Sequence, residues 1–249
     1  MDEHDESLEN LQQDGERAPT SEKAPSAKML NEKVWREVVS WFWVILIFVF
    51  VEGTLVQARV IPSGSMENTV LIGDHLILSR MGYDAGVPFT SWQVPLWRQP
   101  KRQEIMAFST TGLGATFSQE GFPDLIKRTI GLPGDTIEIK QGVVFVNGEA
   151  LAEPYRPDPP DPMENSGPYI VPAGNYFMLG DNRENSYDSR YWGFVPRANM
   201  IGTPVFIYMS IDAPEEAWDP GHLGERFETY LRAAVHPSEI RWKRLFHTF

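Results

Sequence analysis

The chain has no cysteine in its 249 residues. That one absence excludes disulfide staples, thiolate metal sites and cysteine nucleophiles together. Positive charge is also scarce, with 22 lysines and arginines against 34 acidic residues and a formal net charge of −12. Without a basic surplus there is nothing to neutralise a run of phosphates, so nucleic acid is not expected as a partner. The histidines His4, His75, His222, His236 and His247 never fall at H-E-x-x-H spacing, and neither a metal nor an organic cofactor is expected. No internal repeat is present. Large apolar side chains are almost missing from the first 33 residues, where Asp2, Glu3, Asp5, Glu6, Glu9, Asp14 and Glu16 crowd instead. Such a segment cannot offset its ordering entropy by burial, so residues 1–33 read as a disordered acidic tail.

Next along the chain comes the one long apolar run. Val38 to Val51 is apolar except for Ser40, and Trp35 to Val56 gives about 22 residues, roughly 33 Å as a helix. No polar residue recurs at helical period to define a wet face, so residues 34–57 are expected to form a transmembrane helix rather than a buried core helix. Lys23, Lys28, Lys33 and Arg36 precede the run and Arg59 lies just beyond it. That bias puts the N-terminus in the cytoplasm and residues 58–249 outside, in a single-pass arrangement at the cell membrane. The competing idea is a secretory signal cleaved after Val56-Gln57-Ala58, which the long acidic leader argues against.

Beyond the run the pattern changes to short strands. Leu76-Ile77-Leu78, Ile105 to Phe108, Thr136 to Ile139, Val143 to Val146, Tyr176 to Leu179 and Pro204 to Met209 are apolar or β-branched runs bounded by turn residues. Gln141-Gly142 and Asn147-Gly148 are hairpin signals. The expected fold is mainly β, an antiparallel β-sheet domain with a small β insertion at about 141–177. Leu223, Phe227, Tyr230, Leu231 and Val235 share one helical face, read as a helix packing on the sheet, with a membrane-surface helix as the alternative. Ile240, Trp242 and Leu245 alternate with basic residues and suggest a closing strand. The aromatic loop at 81–100, with Tyr83, Phe89, Trp92 and Trp97, suits either a membrane interface or the core.

Three polar stretches carry the chemistry. Ile61-Pro62-Ser63-Gly64-Ser65-Met66 restricts the backbone around two hydroxyls. A serine nucleophile needs a base, and His75 beside Asp74 is one candidate. The other is Lys127, in Ile126-Lys127-Arg128 before the Gly131-Leu132-Pro133-Gly134-Asp135 turn. A lysine is a base only when neutral, which desolvation and the adjacent Arg128 charge both favour. Taken alone, Lys127 also reads as a surface strand lysine. The run Gly180-Asp181-Asn182-Arg183 through Ser186, Asp188, Ser189 and Arg190 is either a loop of local hydrogen bonds or a brace for that amine.

Together these stretches, in this order behind an apolar anchor, resemble the bacterial type I signal peptidases (leader peptidases). The likeness runs from about Arg59 to Met209. It implies a membrane-anchored serine endopeptidase that removes signal peptides from exported preproteins after an A-x-A site, using a Ser/Lys dyad. On that resemblance Ser65 is the nucleophile, Lys127 the general base, and Ser63 with the Ser65 backbone N–H the oxyanion hole. Ser186 would bond the Lys127 amine, and Asp188, Arg190 and Arg128 would brace the site. Ile61, Pro62, Met66, Val70, Leu125 and Ile126 would line small substrate pockets. The implied partners are signal-bearing preproteins and the lipid bilayer. The family's usual basic-Gly-Asp lead into the strand before the lysine is here Arg102-Gln103-Glu104, which leaves that turn open. Two rival readings are a self-cleaving Ser/Lys repressor of the SOS type and an inactive, membrane-tethered β-domain that binds peptides without cutting them.

Overall fold

The computed structural model describes residues 27–86, 93–114, 123–156, 158–219 and 221–249. The chain divides into two compact units, Met1–Leu46 and Ile47–Phe249. Helix α1, Ala27–Thr54, begins inside the stretch expected to be unstructured; residues 1–26 lie outside the described residues. Within it Asn31–Thr54 is long and apolar enough to cross a membrane, with a mean hydropathy of 1.9 over an 18-residue window. The helix stops at Thr54, whose hydroxyl donates back to Phe50 O at 2.6 Å, rather than continuing to residue 57.

The extended chain then supplies β1 (Val56–Val60), β2 (Asp74–Ser79), a short β3 (Asp84–Gly86) and β4 (Gln93–Pro95), with β5 (Ile105–Ser109) and β6 (Asp124–Gly131) after them. A hairpin-rich stretch gives β7 (Thr136–Lys140), β8 (Val143–Val146), β9 (Glu149–Ala150) and β10 (Ser166–Ile170). After it come β11 (Asn175–Leu179), α2 (Ser189–Trp192), β12 (Val195–Pro196), the long β13 (Met200–Ser210) and α3 (Leu223–Val235). The main sheet has seven strands in the order β1-β2-β13-β5-β6-β11-β12, each paired antiparallel to its neighbours. A second, four-stranded sheet, ordered β10-β7-β8-β9, runs from Thr136 to Ile170; it begins before residue 141, because β7 pairs with β8 and β10 and not with the main sheet. Gln141-Gly142 has φ of 52° and 71°, and Asn147-Gly148 has 53° and 88°. Both pairs match the doubly left-handed turn whose twist suits tight hairpins.

Packing obeys the strand alternation. In β7, Ile137 and Ile139 are buried while Thr136, Glu138 and Lys140 are not. These two isoleucines join Ile130, Val144, Phe177 and Leu179 in a cluster that fastens the insertion to the main sheet. A second cluster, of Ile61, Met66, Val70, Leu76, Leu78, Ile105, Ala107, Ile201 and Ile207, lies under the serine stretch and fixes its floor. Pro204 stands inside β13, where a proline removes a ladder donor; it falls at a register shift between Pro204 and Phe206.

Two C-terminal expectations need correction. On α3 the stripe Leu223, Phe227, Leu231 and Val235 is exposed, and the packed side is Thr229, Ala233 and half of Tyr230. Sequence periodicity found a face but not the side it turns to the protein, because the small residues allow the closer approach. The expected closing strand is instead a pair of 3-10 turns, Pro237–Glu239 and Trp242–Arg244, with isolated bridges Ile211–Ile240 and Phe206–Thr248. Of the aromatic loop, Tyr83 is fully buried and Trp97 is exposed, while Phe89 and Trp92 lie outside the described residues.

Candidate active site

Ser65 lies in a single 3-10 turn, Gly64–Met66, entered from an extended Ser63 with φ −131° and ψ 156°. The backbone is pinned on both sides. Ile61 N donates to Asp74 O at 2.8 Å and Gly73 N to Ile61 O at 2.9 Å, while Val70 N donates to Met66 O at 2.9 Å. Met66 and Val70 drop into the core below. A stretch rich in serine and glycine is therefore held still by its apolar neighbours.

Strand β6 carries Lys127, which has no exposed surface. Its Nζ lies 2.6 Å from Ser65 Oγ in a buried hydrogen bond between residues sixty-two positions apart. The surface-lysine alternative is overturned by this burial. The His75 alternative fails as well. Its Nδ1 faces Gly73 O at 3.0 Å and its Nε2 faces the Tyr230 hydroxyl at 2.8 Å, inside an aromatic cluster with Trp218 and Tyr208. Burial pushes this imidazole down to about 4, as suits a structural histidine.

The loop after β11 closes the third side. Ser186 Oγ donates to Asp188 Oδ2 at 2.8 Å, and Gly180 N donates to the same oxygen at 3.1 Å. Arg190 Nε donates to Asp188 Oδ1 at 2.8 Å, and its other nitrogens reach Arg183 O and Glu164 Oε1 at 2.7 and 2.6 Å. Asn182 N donates to Ser65 O at 3.2 Å, so this loop lies directly against the Ser65 backbone. Gly180 makes the approach feasible: a Cβ there would stand 2.2 Å from Ser186 Oγ and 2.5 Å from Ser65 O.

Arg128, next to the lysine, forms a fork on Asp181 at 2.8 and 2.6 Å, and its guanidinium lies 3.8 Å over the Tyr155 ring. Thr69 Oγ1 donates to the same Asp181 at 2.5 Å, so one carboxylate ties β6 to the segment after Ser65. The turn at Arg102-Gln103-Glu104 also resolves. Gln103 takes the left-handed φ of 64° that glycine would adopt freely, and its carbonyl accepts from Arg128 at 2.8 Å.

Beside the hydroxyl is an apolar cavity of about 40 Å³. Ile61, Pro62, Met66, Val70, Leu125 and Ile126 all line it, with Ser63 and Ser65 in its wall. Room for a few waters is room for a methyl group, not for a ring. Among the described residues no group of three His, Asp or Glu side chains could hold a metal. Every site residue expected from the sequence is thus in this region, His75 aside. Sequence reading assigned no role to Asp181, Gly180, Glu153 or Glu164. The first two stand inside the Gly180–Arg183 stretch; Glu153, which pairs with Arg183, and Glu164 come from the insertion and carry no local signal.

A buried amine thus lies against a serine hydroxyl, with a small cavity beside the pair. A family model described as signal peptidase, peptidase S26, matches residues 34–209, and the chain belongs to that family of serine peptidases. A Synechocystis sp. protein named "Probable signal peptidase I-2" is 40% identical over 85% of this chain and 86% of its own length. Signal peptidase I of Pseudomonas aeruginosa is 31% identical over 71% of this chain and 72% of its own length. A solved signal peptidase I from Enterococcus faecalis V583 aligns over 43% of this chain and 97% of that one at 32% identity, with a TM-score of 0.34.

Proposed function

We propose that the protein is a membrane-anchored endopeptidase that removes signal peptides from exported preproteins after an A-x-A site, through a Ser65/Lys127 dyad. The observation that carries the reading is the 2.6 Å contact between Lys127 Nζ and Ser65 Oγ with the lysine wholly buried. Burial works against the ammonium form, and a neutral amine is what the chemistry requires.

Ser65 Oγ attacks the carbonyl carbon of the scissile amide as its proton passes to Lys127 Nζ. The oxyanion is met by the Ser65 backbone N–H and the Ser63 hydroxyl, donors of a kind worth about 3 kcal/mol each when charge develops. As the intermediate collapses, Lys127 returns the proton to the departing amine and the signal peptide stays esterified to Ser65. Water, deprotonated by the same amine, then releases it. Ser186, held by Asp188, positions the amine; Arg190 and Arg128 keep the two flanking loops in register. The cavity of about 40 Å³ accepts the alanine before the cut and refuses larger side chains. Helix α1 is the anchor, with the N-terminus in the cytoplasm and residues 58–249 forming the peptidase domain outside. The hydropathy within Asn31–Thr54 supports the span, and the basic residues before it support this orientation.

Ser65→Ala and Lys127→Ala should each abolish cleavage of a signal-bearing precursor by the detergent-solubilised chain, with the fold retained by circular dichroism. Cleavage at the natural rate in either variant rejects the dyad. The same assay separates this reading from a tethered peptide binder, which would hold the precursor uncut.

A further inference from the structure

Two cavities share the walls made by Ser63 and Ser65. One is the apolar slot; the other is an open cleft of about 380 Å³ whose lining includes Glu184, Asn185, Ser186, Tyr187, Tyr191 and Glu215. We propose that this cleft binds the first residues of the mature chain, and that Glu184 and Glu215 make it discriminate against acidic side chains there.

This role for the cleft rests on the dyad reading. An amide poised over Ser65 Oγ sends its acyl side one way and its nitrogen side the other. A slot sized for a methyl takes the acyl side, which leaves the larger cleft for the nitrogen side. Tyr187 and Tyr191 stack at 5.1 Å and 16° on that side, and Tyr191 is well exposed, a flat platform for an extended backbone. The two carboxylates come from separate segments, Glu184 from the loop after β11 and Glu215 from the turn Glu215–Trp218 after β13. No lysine or arginine among the described residues lines the cleft. The neighbouring Arg190 is committed to Asp188 and Glu164. Burial, and after it the charges of Asp219, Glu216 and Glu67, pushes the Glu215 carboxyl above its ordinary range, in keeping with a negative field on this side. An acidic residue entering the cleft meets like charge with no counterion, whereas a basic one meets two partners.

The test uses the full-length chain in detergent and three precursors with one signal sequence and alanine before the cut. They carry lysine, glutamine or aspartate at the first two mature positions. The kcat/KM ratio of the lysine to the aspartate precursor is expected to be about tenfold and to shrink toward unity as salt rises to about 1 M. It should collapse to within about twofold in E184Q/E215Q and invert in E184K/E215K. Each variant is read as a ratio, so a general loss of rate does not matter, and the natural chain's own ratio and its salt dependence need no variant. A flat ratio in the natural chain, or one unmoved in E184Q/E215Q, overturns the cleft assignment alone. No cleavage of any precursor overturns the dyad reading and the cleft assignment with it.

Discussion

Gly180→Ala isolates the geometry of the site from its chemistry. The added methyl carries no charge, donor or acceptor, and the glycine's φ is not in the left-handed region, so the backbone itself accepts alanine. In an open site this change would stabilise the fold by about 0.4–1 kcal/mol through the unfolded chain. Here the Cβ would stand 2.2 Å from Ser186 Oγ and 2.5 Å from the Ser65 carbonyl oxygen. Ordinary contact distances require those atoms to withdraw by about 1 Å. Ser186 is tied to Asp188, and Ser65 to Asn182, so neither withdraws alone. A displacement of that size between reacting groups costs about a hundredfold in rate. The expected outcome is a kcat about a hundredfold lower on a signal-bearing precursor, with KM little changed because the apolar slot is untouched. Steady-state cleavage gives the two constants, and thermal unfolding by circular dichroism reports on the fold. A variant that keeps kcat within about threefold of the natural chain would refute the reasoning that this loop positions the dyad.

Three further outcomes are expected. Asp181→Ala leaves the Arg128 guanidinium buried without its carboxylate, and urea unfolding should register a loss of about 3–5 kcal/mol; a loss below about 1 would show the pair to be unimportant. His75, pushed down to about 4 by burial, is neutral in the folded chain while the unfolded chain titrates near 6.5. Stability is therefore fully present above about pH 6.5 and is lost as pH falls toward 4, by about 3 kcal/mol in total, a slope that His75→Gln should remove over that window. Ile126→Ala enlarges the slot of about 40 Å³, and the preference for alanine over leucine before the cut should fall at least tenfold in kcat/KM; an unchanged preference would move that pocket elsewhere.

The strands and hairpins are readable because alternation and turn chemistry are local. Ile137 and Ile139 inward with Glu138 outward, and Asn147-Gly148 at the turn, need no distant partner to be recognised. The C-terminal region misleads for the same reason. Leu223, Phe227, Leu231 and Val235 have the right period, but the helix packs through Thr229, Ala233 and Tyr230, and period alone does not choose between faces. Ile240 and Trp242 alternate like a strand, yet the chain there makes 3-10 turns with only single bridges to β13 and its end among the described residues. Gln103 shows the converse, a residue unsuited to its left-handed φ that holds it because its carbonyl anchors Arg128.

By itself the sequence determined the class of fold, the apolar segment and the three polar stretches that meet at Ser65 and Lys127, since each is written in neighbouring residues. Through likeness to a family it also named Ile61, Pro62, Met66, Val70, Leu125 and Ile126, six of the twelve residues that line the slot. Only the tertiary structure decided that Lys127 is buried and not a surface lysine, and that His75 faces Tyr230 rather than a serine. It alone brought Glu153 and Glu164 from the insertion onto the loop that holds Ser186. Burial and contact between residues distant in the chain depend on how sheets close and clusters pack, and no local pattern encodes that.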